Sequence, residues 1–262
     1  MDYRTLQVEI GERIATVWMN RPDRHNAFDE ALIDELGDAF RTLDDDPSAR
    51  VVVLAGRGRS FSAGADLDWM RRAAAYGVDE NLRDARALAA MLRAIDRMRK
   101  PVVARIHGAA LGGGTGLACA CDIAIASTDA SFATTEVKFG LVPATIGPYV
   151  VRAIGERHAH RYFLTAERFD AHEAQRIGMV HEVCAADALD ERVRAVATSL
   201  SVGGPNAQAS AKALIRSLAH RPIDDAVIDE TAQCIAQLRA TPEAREGIAA
   251  FLEKRRPKWV EL

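Results

Sequence analysis

The chain has 262 residues, of which 48% are hydrophobic and 27% charged, and its formal net charge is −3. This composition is typical of a globular protein that buries a core without disulfides or metals, and the acidic balance argues against general nucleic-acid binding. The sequence has neither an 18-residue apolar run nor a secretory leader, and its four cysteines lack zinc-site spacing. We therefore predict a cytoplasmic protein without a membrane span or a metal.

Residue periodicity predicts alternating strands and helices in the first half of the chain. β-Branched and aromatic residues predict a strand at 13–19, and apolar residues at helical spacing predict a helix at 27–43. Continuous apolar runs at 51–55 and 101–106 are typical of strands buried on both faces. The next predictions are helices from about residue 66, at 81–98 and at 117–121, and strands at 122–126 and 130–134. This alternation is typical of an α/β fold.

The pattern changes after about residue 200. Helices are predicted at 205–219, 223–240 and 242–256, and no strand is predicted there. The last helix has Thr241 as its N-cap and Pro242 at its first position. We therefore predict an α/β core at 1–200 and a C-terminal helical region at 201–262. The pattern allows this region to pack either on a neighbouring subunit or on its own chain.

Two loops that each join a strand to a helix are rich in small residues. They are F-S-A-G-A-D-L at 61–67 and G-A-A-L-G-G-G at 108–114. Small residues let a ligand approach the backbone, and N–H groups at a helix N-terminus are free to bind an anion. Two such loops facing each other would form an oxyanion hole. Tight packing between helix and strand explains either loop taken alone.

The ordered set of motifs resembles the enoyl-CoA hydratase/isomerase (crotonase) family. The two loops are accompanied by M-N-R-P and H-N-A within 19–27, K-P-V at 100–102, A-C-D-I at 120–123 and F-L-E-K-R at 251–255. The resemblance implies a crotonase-like spiral of ββα turns whose C-terminal helices make oligomer contacts, giving a homotrimer or hexamer. It also implies an acyl-CoA substrate and no separate cofactor, because coenzyme A is part of that substrate.

The resemblance also implies roles for individual residues. The backbone N–H groups of Ala63 and Gly113 would hold the thioester oxygen, and Glu136 would act as the catalytic base. Lys254 would reach a coenzyme A phosphate across a subunit boundary, although a solvated lysine at a helix end is an equal alternative. The remaining substrate-binding residues would be Arg24, His25, Ala27, Ala65, Asp66 and Leu67.

Two positions depart from the common family pattern. Hydratases of the family commonly carry a second glutamate where this chain has Gly116, and the acyl-pocket segment is P-A-T-I-G-P-Y-V at 143–150. Together these departures resemble a bacterial branch of methylglutaconyl-CoA hydratases. We therefore predict an enoyl-CoA hydratase that adds water across the 2,3 double bond, with 3-methylglutaconyl-CoA, an intermediate of leucine degradation, as the candidate substrate.

Two other functions stay open. A double-bond isomerase needs one base, so Glu136 alone would move a proton between the α and γ carbons. A non-catalytic member would bind acyl-CoA or RNA, but the presence of Glu136 and both loops argues against this. A glutaconyl group carries a free carboxylate that a cation would hold, and Arg71, Arg72 and Lys138 are the candidates.

Overall fold

The computed structural model describes residues 2–261, and the strands and helices alternate as predicted for an α/β chain. The strands are β1 (Leu6–Gly11), β2 (Ile14–Met19), β3 (Val51–Gly56), β4 (Val102–Ile106), β5 (Ala109–Leu111), β6 (Ile123–Ser127), β7 (Ser131–Ala133), β8 (Phe169–Asp170) and β9 (Glu182–Cys184). The helices are α1 (Glu30–Asp45), α2 (Leu67–Ala73), α3 (Val78–Arg97), α4 (Gly113–Ala120), α5 (Gly147–Thr165), α6 (Ala171–Arg176), α7 (Leu189–Ser201), α8 (Pro205–Leu218), α9 (Asp225–Arg239), α10 (Pro242–Leu252) and α11 (Lys258–Glu261).

The strands form a large and a small sheet. The large sheet has the order β1-β2-β3-β4-β6-β9, with β1 antiparallel to β2 and the other neighbours parallel. In β3, Val51 and Val53 pack toward α7, whereas Val52 and Leu54 join the main core with α1 and α3. Successive side chains of a strand point to opposite faces, so cover on both faces explains the continuous apolar run.

The small sheet lies next to the predicted loops. Its order is β5-β7-β8, with β5 parallel to β7 and β8 antiparallel to β7. Both β5 and α4 fall within the stretch at 108–121, where the sequence predicts a glycine-rich loop and a helix from residue 117. The helix instead begins at Gly113. Glycine is a poor helix former, so the prediction placed the start too late.

Helix caps decide the start of α1. The sequence predicts a helix from residue 27, but α1 begins at Glu30 because Asp29 is its N-cap. The Asp29 carboxylate accepts a hydrogen bond from the Leu32 N–H at 2.9 Å. This bond satisfies one of the free donors at the helix N-terminus and leaves residues 27–28 extended.

The chain after residue 201 is helical, as predicted, with α8 to α11 and no strand among residues 202–261. Only Val227 and Ala250 are buried in that part of the structure. Leu262, the last residue of the predicted helical region, lies outside the described residues. None of the described helices is long and apolar enough to cross a bilayer.

Lys212 of α8 attaches the helical region to the core. Its Nζ donates to the Asp122 carboxylate at 2.6 Å and to the Lys100 carbonyl at 2.9 Å. The same Asp122 oxygen accepts from the Val102 N–H at 2.7 Å. Burial raises the pKa of Asp122, and the Lys212 ammonium opposes that rise.

We expect Lys212→Met to lower the free energy of unfolding by about 2–3 kcal/mol at pH 7, because it leaves a partly buried carboxylate without its cation. The pKa of Asp122 would rise further, so the loss should shrink as the pH falls through that raised value. Urea denaturation at pH 7 and pH 5 measures both effects. Combining the change with Asp122→Asn should restore stability, and an equal loss at both pH values would contradict the charge-based explanation.

Candidate active site

The two loops rich in small residues meet in the structure. Ser62 pairs with the β5 strand, since its N–H donates to the Ala109 carbonyl at 3.0 Å and its carbonyl accepts from the Leu111 N–H at 2.9 Å. The chain at 61–67 therefore continues the small sheet on the side of β5 away from β7. This pairing places the first loop directly beside the N-terminus of α4.

Glycines let the two backbones approach this closely. A Cβ added to Gly64, which has φ +86°, would lie 2.8 Å from the Leu111 carbonyl oxygen and 3.4 Å from the Gly113 nitrogen. A Cβ at Gly113 would overlap the ring of Phe28. A side chain at Gly64 would push the two loops apart, and one at Gly113 would displace Phe28, which is the structural reason for glycine at both positions.

The Ala63 N–H, which the sequence analysis assigned to the thioester oxygen, is already bonded. It donates to the His25 carbonyl at 2.9 Å. The N–H groups of an extended segment point alternately to opposite sides. Because the Ser62 N–H faces β5, the Ala63 N–H faces the turn at His25. This geometry corrects the assignment of Ala63 as an oxyanion donor.

The Ala65 N–H points away from the segment that contains His25 and Phe28, unlike the Ala63 N–H, which faces His25. The neighbouring Gly64 carbonyl accepts from the Phe28 N–H at 2.6 Å, and the Asp66 N–H donates to the Phe28 carbonyl at 2.8 Å. In such a parallel bridge the N–H of the central residue, Ala65, points away from Phe28. Neither Ala65 nor Gly113 has a hydrogen-bond partner for its N–H among residues 2–261.

Asn26 holds the turn that supports the first loop. Its side chain is fully buried, its Oδ1 accepts from the Arg21 N–H at 2.9 Å, and its Nδ2 donates to the carbonyls of Arg57 and Ser60 at 2.9 Å each. In the sequence, Asn26 stands out only as part of the H-N-A motif at 25–27. A buried amide with three hydrogen bonds holds this turn in one position.

Arg21 joins that turn to the start of α2. Its guanidinium contacts the Asp29 carboxylate at 2.9 Å and the Asp66 carboxylate at 3.1 Å. Asp66 also caps α2 and accepts a hydrogen bond from the Asp68 N–H at 2.8 Å. Burial raises the pKa of Asp66, but the backbone hydrogen bonds and the Arg21 guanidinium outweigh burial, so the pKa is lowered. The carboxylate of Asp66 is therefore engaged within the chain.

The structure brings together most residues of the predicted binding path. His25 lies in the turn with its Nδ1 3.0 Å from the Ser60 hydroxyl, and Leu67 is 68% exposed at the start of α2. The gathered residues are Arg24, His25, Ala27, Ala65, Asp66 and Leu67. Lys254 follows α10 and has no hydrogen bond or ion pair with them in the described part of the chain.

Glu136 lies beside the second loop. It begins the short 3-10 helix Glu136–Phe139 after β7, and its Oε1 is 3.2 Å from the position of a Cβ on Gly112. Its Oε2 is buried without a hydrogen-bond partner among residues 2–261. Burial raises the pKa of Glu136, although nearby backbone N–H groups oppose the rise. An unpartnered carboxylate with a raised pKa is suited to proton transfer near neutral pH.

Other features of the described chain do not mark a competing site. A cavity of about 560 Å³ opens over the outer face of β2, where the Arg57 guanidinium stacks 3.8 Å from the Trp18 ring centroid. A second, of about 250 Å³, lies around Asp96 and Arg152. Neither contains Glu136, and residues 2–261 hold no metal-binding group of histidines, cysteines or carboxylates.

Comparisons with known proteins match almost the whole chain. The family model described as enoyl-CoA hydratase/isomerase matches residues 9–261. The crotonyl-CoA hydratase of Syntrophomonas wolfei is 34% identical over 266 residues, which cover 99% of each chain. The 2,3-dehydroadipyl-CoA hydratase of Escherichia coli is 33% identical over 248 residues, which cover 94% of each chain.

A solved structure of an enoyl-CoA hydratase from Shewanella pealeana is also similar. It is 41% identical, has a TM-score of 0.95, and the match covers 98% of this chain and 96% of that chain. The predicted crotonase-like fold is thereby confirmed. Since the family model and these relatives match almost the whole chain, the chain belongs to the enoyl-CoA hydratase/isomerase family.

Proposed function

We propose that this chain is an enoyl-CoA hydratase with one carboxylate as its acid–base group. The observation that carries the proposal is the half-buried side chain of Glu136, whose Oε2 is buried and has no hydrogen-bond partner among residues 2–261. It lies against Gly112, the residue before the unpaired N–H of Gly113, and the unpaired N–H of Ala65 follows Gly64, whose added Cβ would lie 3.4 Å from the Gly113 nitrogen. Hydratase names among the relatives support the same reaction.

The proposed reaction begins when water attacks the β-carbon of a 2-enoyl thioester and Glu136 takes a proton from that water. The electron pair of the double bond moves to the thioester oxygen, and the resulting enolate is held by the N–H groups of Ala65 and Gly113. Losing one such donor costs ~3–4 kcal/mol. Glu136 then returns its proton to the α-carbon, so atoms and charge balance with one carboxylate.

For the acyl group we propose 3-methylglutaconyl-CoA, whose free carboxylate needs a cation. Arg71 pairs with Asp68 at 2.6 Å, and one guanidinium nitrogen of Arg72 donates to both Glu30 carboxylate oxygens at 2.9 and 2.8 Å. Lys138 lies two residues after Glu136 and has no ion pair in the described part of the chain. Lys138 is therefore the favoured partner for the acyl carboxylate.

We expect Lys138→Met to lower kcat/KM on 3-methylglutaconyl-CoA by about 10-fold or more, because it removes a charge-assisted hydrogen bond. The same change should leave kcat/KM on crotonyl-CoA, which has no free carboxylate, nearly unchanged. Loss of absorbance at the enoyl-thioester band measures both. Arg71→Met is the matched control for an exposed cation. Equal losses on both substrates would contradict this role, and no turnover of either by the wild-type chain would contradict the hydratase proposal.

A double-bond isomerase is the second candidate, and the single carboxylate is the observation that favours it. One base suffices to carry a proton from the α-carbon of a 3-enoyl thioester to its γ-carbon, and no water is added. Mixing the chain with a 3-enoyl thioester distinguishes the two reactions. An isomerase would produce the enoyl-thioester band, whereas a hydratase given a 2-enoyl thioester removes it.

We also propose a homotrimer or hexamer assembled through the C-terminal helical region. Large apolar side chains there are exposed, including Ile223 at 87%, Phe251 at 82% and Ile215 at 69%. Exposed apolar clusters of this kind mark protein contacts. Lys254 follows Phe251 closely, so such a contact would bring it near a neighbouring subunit, where we propose that it binds a coenzyme A phosphate. Analytical ultracentrifugation measures the assembly.

A further inference from the structure

Two glycines at the start of α4 lie one helical turn apart. Gly112, whose backbone is not helical (φ +49°, ψ −115°), is the N-cap of α4, and Gly116 lies within the helix, about 6 Å further along its axis. Glu136 Oε1 lies against Gly112, at 3.2 Å from an added Cβ. The space that a side chain at position 116 would need therefore begins about one helical turn from this contact of the Glu136 carboxylate.

Ile146 occupies that space. A Cβ at Gly116 would overlap Cγ2 of Ile146 and would lie 2.7 Å from its Cβ. Ile146 is 2% exposed and immediately precedes α5. Since α5 packs against both α4 and the 3-10 helix of Glu136, Ile146 has little freedom to move away. The nearest atoms to Gly112 and Gly116 in the described chain include no carboxylate besides that of Glu136.

We propose that Ile146 is the positioning residue that limits this site to one acid–base group, by filling the space that a side chain at position 116 would need. The inference rests on the proposed function, because it concerns the proton transfers of that reaction. A carboxylate at position 116 would lie within one helical turn of the Glu136 contact and would share the proton transfers. With Ile146 in place, Glu136 carries both.

A set of four variants tests this role: Gly116→Glu, Ile146→Ala, the combination of both, and Gly116→Glu with Ile154→Ala. Ile154 is the matched control, since it lies on α5, is 4% exposed and is not among the atoms nearest to Gly116. Ile→Ala removes three carbon atoms, which is about the space that a glutamate side chain needs. Only truncation at 146 opens that space beside Gly116.

We expect Gly116→Glu alone to lower Tm by about 5 °C or more, because overpacking a buried position strains the core. Adding Ile146→Ala should recover most of that loss, whereas adding Ile154→Ala should deepen it. The combined variant should hydrate crotonyl-CoA about 10-fold faster than Ile146→Ala alone. The pH profile of kcat/KM for the combined variant should also show a second ionisation, which a purely structural role of Ile146 would not produce.

Three outcomes would overturn the proposal. The first is a Gly116→Glu chain with the Tm of the wild type, and the second is equal rescue by Ile154→Ala. The third is a folded combined variant whose pH profile matches that of Ile146→Ala. If the wild-type chain hydrates no thioester, the proposed function fails separately, and the Tm pattern still decides whether Ile146 excludes a side chain at position 116.

Discussion

Glu136→Gln is expected to lower kcat for hydration by about 10²–10⁴-fold while the chain stays folded. The amide has nearly the same shape as the carboxylate but cannot accept a proton from water. Because Oε2 of Glu136 has no hydrogen-bond partner among residues 2–261, the change breaks no bond to that atom. Thioester turnover and thermal unfolding of the same preparation measure the two effects, and near-normal turnover would contradict the role of Glu136.

The raised pKa of Glu136 determines the direction in which kcat/KM and stability change with pH. Burial raises the pKa of Glu136 above its usual value of 4.5, so kcat/KM should rise as the pH increases through that raised value. The stability that this group contributes is present below its unfolded pKa and is lost as the pH rises through the folded pKa. Glu136→Gln should therefore have a Tm equal to or above that of the wild type at pH 7, and the difference should close toward acid pH.

Glu167→Gln is the matched control for that experiment. Its hydrogen bonds with Arg161 lower the pKa of Glu167, so the stability effect has the opposite sign. Removing this carboxylate should lower Tm slightly at pH 7 and leave turnover unchanged. A rise in Tm for both variants would show that loss of any glutamate stabilises the chain, and would contradict the burial argument for Glu136.

Gly64→Ala is expected to lower kcat by about 10²–10³-fold, the loss typical of a displaced oxyanion donor. Its Cβ would enter the gap between the loops, 2.8 Å from the Leu111 carbonyl oxygen and 3.4 Å from the Gly113 nitrogen. The loops would move apart, and the N–H groups of Ala65 and Gly113 would no longer converge. Single-turnover kinetics with a 2-enoyl thioester measure the chemical step directly.

Gly64→Ala strains the backbone as well as moving the loops apart, so a control variant has to distinguish the two effects. Gly64 has φ +86°, so any alanine there also costs about 1–2 kcal/mol. Gly155 has φ +71° with no atom within 4 Å of an added Cβ, which makes Gly155→Ala a matched control for strain alone. Gly64→Ala should lower Tm at least as much as Gly155→Ala, and only Gly64→Ala should lose turnover. Equal turnover losses would assign the effect to strain.

The sequence predicted the parts of the fold that depend on local pattern. The apolar run of β3 predicts a strand buried on both faces, and α7 and the main core cover it as expected. The small-residue loops were also recognised from the sequence, because backbone access requires small residues at fixed positions, whereas Glu136 was a candidate through the family resemblance. The starts of α1 and α4 were predicted less accurately. The N-cap Asp29 sets the start of α1, and α4 begins at Gly113, where two backbone segments approach closely.

Local residue patterns are enough to recognise the family and the two loops, because neighbouring residues carry them. Which N–H groups are free depends instead on contacts across the fold. The choice between Ala63 and Ala65 depends on His25 and Phe28, which pair with alternate sides of the first loop. The tertiary structure also decided that Ile146 fills the space at Gly116, thirty residues earlier in the chain. Contacts between segments far apart in sequence set both, and no local pattern records them.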